Sequence, residues 1–353
     1  MSSKTKSYEL DTPSFFDPKK VEEIWSVPYE ERMLQAAEWA RRHNLKPAAQ
    51  DRVKIALMPI DAQITFCHPS GALYVAGRSG NGALEDTART AEFIYRNLRV
   101  ITGIVPTLDT HTAFQIFHRA FWVDQQGNHP APATLISLDD VKAGVWSVNP
   151  AMAYAVLGDA AKYAYLMQYA LHYVESLTGG GKYPLMIWPH HAMLGDIHHA
   201  LMPSLQEAIY FHTIARGSQP AYRVKGGNPL TENYSVIEPE VLEDQQRRAI
   251  AARSAKFLET LLKYDRLIIC GQAKSHCVAW TIADLLSGIQ AQDPELARKV
   301  YLVEDLTSPV VIPGVIDFTD MANEAFKRFA AAGMHVVRST EAVEDWPEMP
   351  KLS

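Results

Sequence analysis

A cysteine stands where a buried strand should meet a helix. The apolar run Leu267-Ile268-Ile269-Cys270 leads into Gly271-Gln272-Ala273-Lys274-Ser275-His276-Cys277-Val278. An apolar run closing on glycine and small residues reads as a strand turning into a helix, here predicted over Cys277 to Leu286. A thiol at a helix N-terminus meets N–H groups without intrahelical partners and the positive end of the macrodipole, which favour the thiolate. The same N–H groups can cradle an oxyanion. A cysteine beside a strand is also a common inert core residue, so a nucleophile reading needs partners elsewhere in the chain.

Four polar clusters at other predicted strand ends are the candidates. Asp61-Ala62-Gln63-Ile64-Thr65-Phe66 follows the first strand. Asp61 fits a turn cap, and it also fits a general base beside a thiol. Asp109-Thr110-His111 follows the next strand, with His118 further on. An Asp and a His two apart in an extended segment point the same way and can share a cation. Trp188-Pro189-His190-His191 closes a strand-like run from Tyr183. Paired histidines after a rigid proline suit a metal or a solvated surface, and His198 and His199 suit a solvated helix face. Lys225-Gly226-Gly227 follows Tyr222-Arg223-Val224. A lysine is ordinarily solvent-facing, but beside a carboxylate and a thiol it can hold the charge of a catalytic triad.

The elements that must position these residues alternate between strand and helix. Val53 to Ile60, Val100 to Thr107, Tyr183 to Trp188, Arg266 to Cys270, Lys299 to Val303 and Met334 to Val337 read as six strands. Pro28 to Asn44, Leu84 to Leu98, Val241 to Tyr264 and Asp317 to Ala332 read as helices. That alternation implies an α/β fold, a doubly wound and mainly parallel six-stranded sheet with helices on both faces. Sites in such sheets lie beyond the carboxyl ends of the strands, where all five clusters fall. Residues 1–50 read as an N-terminal arm and helix, 51–340 as the main domain and 341–353 as a tail. Within the domain, Pro150 to Leu177 is rich in Ala and Tyr and apolar around much of its circumference. It is predicted as a helical insertion over about 150–181, packed on a subunit or covering a site, and its apolar face predicts a homo-oligomer.

Composition bounds the function. With 353 residues, 47% hydrophobic and 21% charged, the chain can bury a sizeable core. A net charge of −6 leaves no basic footprint for nucleic acid. No apolar stretch approaches the roughly 20 residues that span a bilayer. The N-terminus lacks the apolar core of a signal peptide. Three sparse cysteines, Cys67, Cys270 and Cys277, point to a reducing cytoplasm rather than a disulfide scaffold.

The clusters gain weight from their joint order. Asp61-x-Gln63-x-x-Phe66, Asp109-x-His111, Trp188-Pro-x-His191, Lys225-Gly and Ala273-x-x-x-Cys277-Val together resemble the nicotinamidase branch of the isochorismatase-like cysteine hydrolases, over about Val53 to Val337. The resemblance implies that Cys277 is the nucleophile, attacking an amide carbonyl to give a thioester and ammonia. It implies that Asp61 is the proton carrier and Lys225 the third triad member. The N–H groups of Ala273 and Cys277 would form the oxyanion hole, with a cis peptide at Gln272-Ala273. Asp109, His111 and His191 match the family's ligands for one divalent metal ion, zinc first, with iron or manganese as alternatives. His118 sits near a further ligand position of some members. Phe66 and Trp188 resemble the aromatic clamp on a pyridine ring, and Gln63 keeps its substrate-side place.

The chain departs from the family pattern around the pocket, at Ile64-Thr65, Lys274-Ser275-His276 and Ala192. It also adds about 50 N-terminal residues and the helical insertion. The expected activity is hydrolysis of nicotinamide or a similar small heteroaromatic amide. Alternatives are another small amide or ureide, or a non-catalytic scaffold. Isochorismatase chemistry is disfavoured because it needs no thiol.

Overall fold

The computed structural model describes residues 8–181 and 183–352. Residues 1–7 of the expected arm and residue 353 of the expected tail lie outside the described residues. Six α-helices of twelve or more residues stand among them: α1 (Tyr29–Arg42), α2 (Gly82–Arg96), α3 (Tyr163–Gly179), α4 (Pro203–Arg216), α5 (Ala279–Gln290) and α6 (Thr319–Ala331). The chain divides into two compact units. One comprises Met1–Leu108, Ala200–Arg223 and Ala255–Ser353, the other Asp109–His199 and Val224–Ser254.

The first unit is built on a sheet of β1 (Ile55–Ile60), β2 (Gly103–Ile104), β3 (Arg266–Gly271), β4 (Val300–Val303) and β5 (His335–Val337). The strand order is β5-β4-β3-β1-β2, and every pairing is parallel. All residues of β1 and β4 are buried, as continuous apolar runs in parallel sheets should be. Pro59 is tolerated inside β1 for a local reason. Ile55 and Leu57 bond toward β2, which ends at Ile104, so the missing Pro59 N–H would face beyond that end. α1 and α2 both pack on α4.

The sheet has five strands among the described residues, not six. The run Tyr183 to Trp188 is the one that differs. Its Leu185–Met186 pairs antiparallel with Leu135–Ile136 in a separate two-stranded ribbon of the second unit. Val100 to Thr107 is interrupted as well. Pro106 separates β2 from the short strand Thr107–Asp109. The helix expected over Val241 to Tyr264 is confined to Ala255–Leu262. Asp244 takes the backbone N–H groups of Gln246 and Arg248 on its carboxylate, and its own N–H donates to the Arg248 carbonyl at 2.9 Å. Such local bonds compete with a helix and close a tight loop instead.

The second unit explains the Ala/Tyr-rich segment. Its helices are Met152–Leu157 and α3. Leu166, Tyr169, Ala170, Tyr173, Val174 and Leu177 of α3 are buried. The tyrosine rings supply apolar bulk while their hydroxyls reach main chain. Tyr163 donates to the Val148 carbonyl at 2.9 Å and Tyr169 to the Leu230 carbonyl at 2.8 Å, while Tyr173 accepts from the Glu232 N–H at 3.2 Å. The apolar face that suggested self-association is therefore largely core of its own unit.

Candidate active site

In the first unit the site grows from two neighbouring strands. β1 and β3 pair in register through Ile60 and Gly271. Parallel strands ending at one level deliver their next residues to the same sheet edge. Those residues are Asp61 on one side and Gln272-Ala273 on the other, and the Gln272 N–H donates to the Ile60 carbonyl at 2.7 Å. Gly271 is required at this junction. It has φ +107, and a Cβ there would stand 2.1 Å from the Ile60 carbonyl oxygen.

Asp61 is fully buried with φ 44, a left-handed conformation that a non-glycine residue seldom holds. Thr107 orients it. The Thr107 hydroxyl accepts from the Asp61 N–H at 3.0 Å and donates to Asp61 Oδ1. Gln63 is buried and bridges Leu201, and Phe66 is buried in the short helix Ile64–Cys67.

The Gln272-Ala273 peptide is cis. The next turn is wider than an α-turn, with the Val278 N–H donating to the Ala273 carbonyl at 3.1 Å. α5 begins at Ala279, so Cys277 sits in the wide turn that enters the helix and not on its first residue. Single wide turns of this kind recur at functional sites. Ser275 Oγ accepts from the Val310 N–H at 3.0 Å and meets His276 Nδ1 at 2.8 Å. Burial pushes the His276 imidazole down to about 3, so it is neutral, edge-on to Phe318. Burial pushes the Cys270 thiol up to about 12 and the Cys67 thiol higher still. Neither can supply thiolate near neutral pH.

The second unit holds a convergent donor group. Asp109, His111 and His191 are buried, and one ligand atom from each lies within 4.8 Å of the others. His111 Nδ1 is 3.2 Å from the Gly226 carbonyl and His191 Nδ1 is 2.8 Å from the Pro189 carbonyl. A carbonyl only accepts, so both Nδ1 atoms carry the proton. That tautomer leaves the Nε2 atoms facing Asp109 Oδ2, at 2.8 Å from His111 and 3.7 Å from His191. Burial and the neighbouring His111 outweigh the pull of Asp109 and hold His191 below the ordinary histidine range. Burial also opposes charge on His111, but the Asp109 carboxylate raises it. Burial opposes charge on Asp109 too, yet His111 and Lys225 hold its carboxyl well below the usual range. One carboxylate and two imidazoles anchored through Nδ1 form a donor set that fits zinc, iron or manganese.

Gly226 makes the group possible. Its φ is +86, and a Cβ there would stand 2.6 Å from Asp109 Oδ1 and 2.7 Å from His111 Cε1. Lys225 Nζ lies 3.0 Å from Asp109 Oδ1 and donates to the Asn233 carbonyl at 2.7 Å. Glu232 is buried close by, and Oε1 accepts from the Asn233 N–H at 2.9 Å. Burial pushes its carboxyl up to about 7. Trp188 is buried and its Nε1 donates to the Tyr234 hydroxyl at 2.9 Å.

His118 stands beside the metal group, its ring 5.9 Å from that of His111 and 6.1 Å from that of His191. It is not one of the three donors that converge. Burial and the neighbouring histidines push it down to about 2, and its ring packs on His190 at 4.3 Å. His198 meets Asp196 at 3.0 Å, whereas His199 turns inward to Thr110 Oγ1 at 2.7 Å.

Asp61, Gln63, Phe66, Ala273 and Cys277 thus belong to the first unit, and Lys225, Trp188, His118 and the metal group to the second. Thr107, Gln272 and Glu232 carry site contacts that their sequence context did not announce. Thr107 lies two residues before Asp109, and Glu232 seven after Lys225, in segments with no chemical pattern of their own.

In fold, the chain resembles nicotinamidases and pyrazinamidases. A nicotinamidase/pyrazinamidase of Acinetobacter baumanii aligns at 19% identity over 81% of this chain and 97% of its own, with a TM-score of 0.47. The yeast nicotinamidase aligns at 18% identity over 80% and 99%, with a TM-score of 0.48. A Pyrococcus horikoshii pyrazinamidase in complex with zinc aligns at 17% identity over 81% and 99%, with a TM-score of 0.43. No protein-family profile matches the sequence, and no curated protein does.

Proposed function

We propose that the protein is a metal-containing cysteine amidohydrolase acting on nicotinamide or a similar small heteroaromatic amide. The observation that carries this reading is the paired strand end. Asp61 and the turn that holds Cys277 follow adjacent parallel strands that end at one level, which supports a carboxylate and a thiol acting together at that sheet edge. In this reading Asp61 takes the Cys277 proton and the thiolate attacks the amide carbon. The developing oxyanion is received by the N–H groups of Ala273 and Cys277. Asp61 returns the proton to the nitrogen, the C–N bond breaks and ammonia leaves. Water then attacks the thioester, giving the carboxylic acid and the free thiol.

Lys225 serves as the cation of the triad, balancing negative charge as Asp61 and Cys277 exchange a proton. Phe66 and Trp188 would hold the ring. A divalent ion held by Asp109, His111 and His191 would offer a coordination position to the ring nitrogen or to water. Zinc is the ion proposed. The thiol must stay reduced to act, which favours a reducing compartment such as the cytoplasm. Among the described residues no helix is long and apolar enough to cross a membrane. Association of copies remains part of the proposal. Tyr154, within the insertion, and Leu194, Ile197 and Val224 are among the exposed apolar side chains of the second unit, and the mass in solution tests association.

Purified protein supplied with zinc should release ammonia from nicotinamide, and Cys277→Ala should reduce release to background. Turnover persisting in Cys277→Ala would remove the nucleophile assignment. Ile64-Thr65, Lys274-Ser275-His276 and Ala192 are where the chain leaves the family pattern, so a panel of small amides and ureides should accompany nicotinamide.

A further inference from the structure

Asp86 is a buried carboxylate in the first unit that the chemistry above does not use. It sits within α2 and is 3% exposed. A buried carboxylate is costly unless it is paired and hydrogen-bonded. One oxygen is accounted for by Arg89, whose Nη2 donates to Oδ1 at 2.7 Å. The other accepts from Gln272 Nε2 at 2.8 Å. Gln272 is the residue between Gly271, the end of β3, and Ala273.

We propose that Asp86 is a positioning residue for the Cys277 turn, acting through the Gln272 carboxamide. The proposal rests on the amidohydrolase reading. A carboxylate only accepts, so Asp86 fixes the Gln272 amide with nitrogen toward α2 and oxygen away from it. The oxygen then accepts from the Ser308 N–H at 3.2 Å, and the Ser308 carbonyl accepts from the Lys274 N–H at 2.8 Å. The side chain of 272 and the backbone of 274 are therefore held by the same residue, on either side of Ala273. Ser308 is itself seated on the start of α2. A Cβ at Gly82 would stand 2.5 Å from Ser308 Oγ. Arg89 adds a further tie, its Nε donating to the Asp305 carbonyl at 2.8 Å. α2 thus holds the nucleophile turn through the directional Gln272 amide and through Ser308, whose side chain also hydrogen-bonds Asp86.

The test uses the full chain and two variants. Asp86→Asn can present either an amide nitrogen or an oxygen to Gln272 and so loses the one-way constraint. Gln272→Met keeps the volume and removes both bonds. Misplacing an oxyanion donor by a fraction of an ångström slows catalysis, so each variant should lower kcat about tenfold and leave KM within about twofold. The double variant should fall well short of the product of the two single losses, because both variants disrupt the shared Asp86–Gln272 contact. Alkylation of Cys277 by iodoacetamide across pH, without substrate, should be altered in the same way in both variants. That readout stands even if nicotinamide proves not to be the substrate.

Wild-type kcat and alkylation profile in either folded variant overturns the proposal. So do losses that multiply in the double variant. If Asp86→Asn does not fold, Gln272→Met alone decides.

Discussion

At the residue scale, the metal group depends on a side chain that is not there. The φ of Gly226 and the approach of Asp109 and His111 both forbid a Cβ. Gly226→Ala should therefore weaken zinc binding at least tenfold, as changes that disturb ligand orientation do. Metal content after dialysis against graded chelator checks this. Zinc bound with wild-type affinity in Gly226→Ala would mean that Asp109 and His111 are not ligands together. Lys225 gives a second test. It is buried against Asp109 Oδ1, so Lys225→Met leaves that buried carboxylate with His111 as a remaining partner. Loss of one partner of a buried pair costs about 3–5 kcal/mol. Bound metal, as a new cation for Asp109, should recover part of that loss. The melting temperature of Lys225→Met should thus rise more on adding zinc than that of wild type; an equal rise in both counts against the coupling. The three converging donors were legible because Asp109-x-His111 and His191 follow apolar runs. Thr107 was not, because a threonine at a strand end carries no mark of the carboxylate it will orient.

At the element scale, α3 acts as a brace for the segment that carries Lys225. The Tyr173 hydroxyl takes the N–H of Glu232, and the Tyr169 hydroxyl donates to Leu230, so two turns of one helix fix residues 230–232. Tyr173→Phe strands a buried N–H, which costs about 1–3 kcal/mol. The urea midpoint of the zinc-free protein should fall accordingly, and an unchanged midpoint would show that water or another group satisfies Glu232. Sequence pattern revealed these elements unevenly. The buried parallel strands β1, β3 and β4 were plain, because a strand covered on both faces is a continuous apolar run. Tyr183 to Trp188 has the same look but joins a different sheet, since an apolar run does not name its pairing partner. Val241 to Tyr264 has helical composition, yet the Asp244 carboxylate captures its own backbone and breaks the first half.

At the scale of the whole molecule, the response to acid follows from histidines kept neutral inside it. His212 donates from Nε2 to the Ile101 carbonyl at 2.9 Å, and burial lowers its pKa to about 4. His276 is lowered to about 3 for the same reason. In the unfolded chain each would titrate near 6.5. Between those values the unfolded state binds more protons than the folded one, so stability is complete above about pH 6.5 and falls as pH drops toward the folded values. Each such histidine contributes a slope of up to about 1.4 kcal/mol per pH unit. His212→Gln can keep the bond to Ile101 while removing the titration. The unfolding free energy of zinc-loaded protein should decline from pH 6.5 to 4.5, and the decline should be shallower in His212→Gln by about one proton's worth. Parallel curves for the two proteins would show that His212 takes up its proton in the folded state without cost, and the neutral buried histidine would have to be given up.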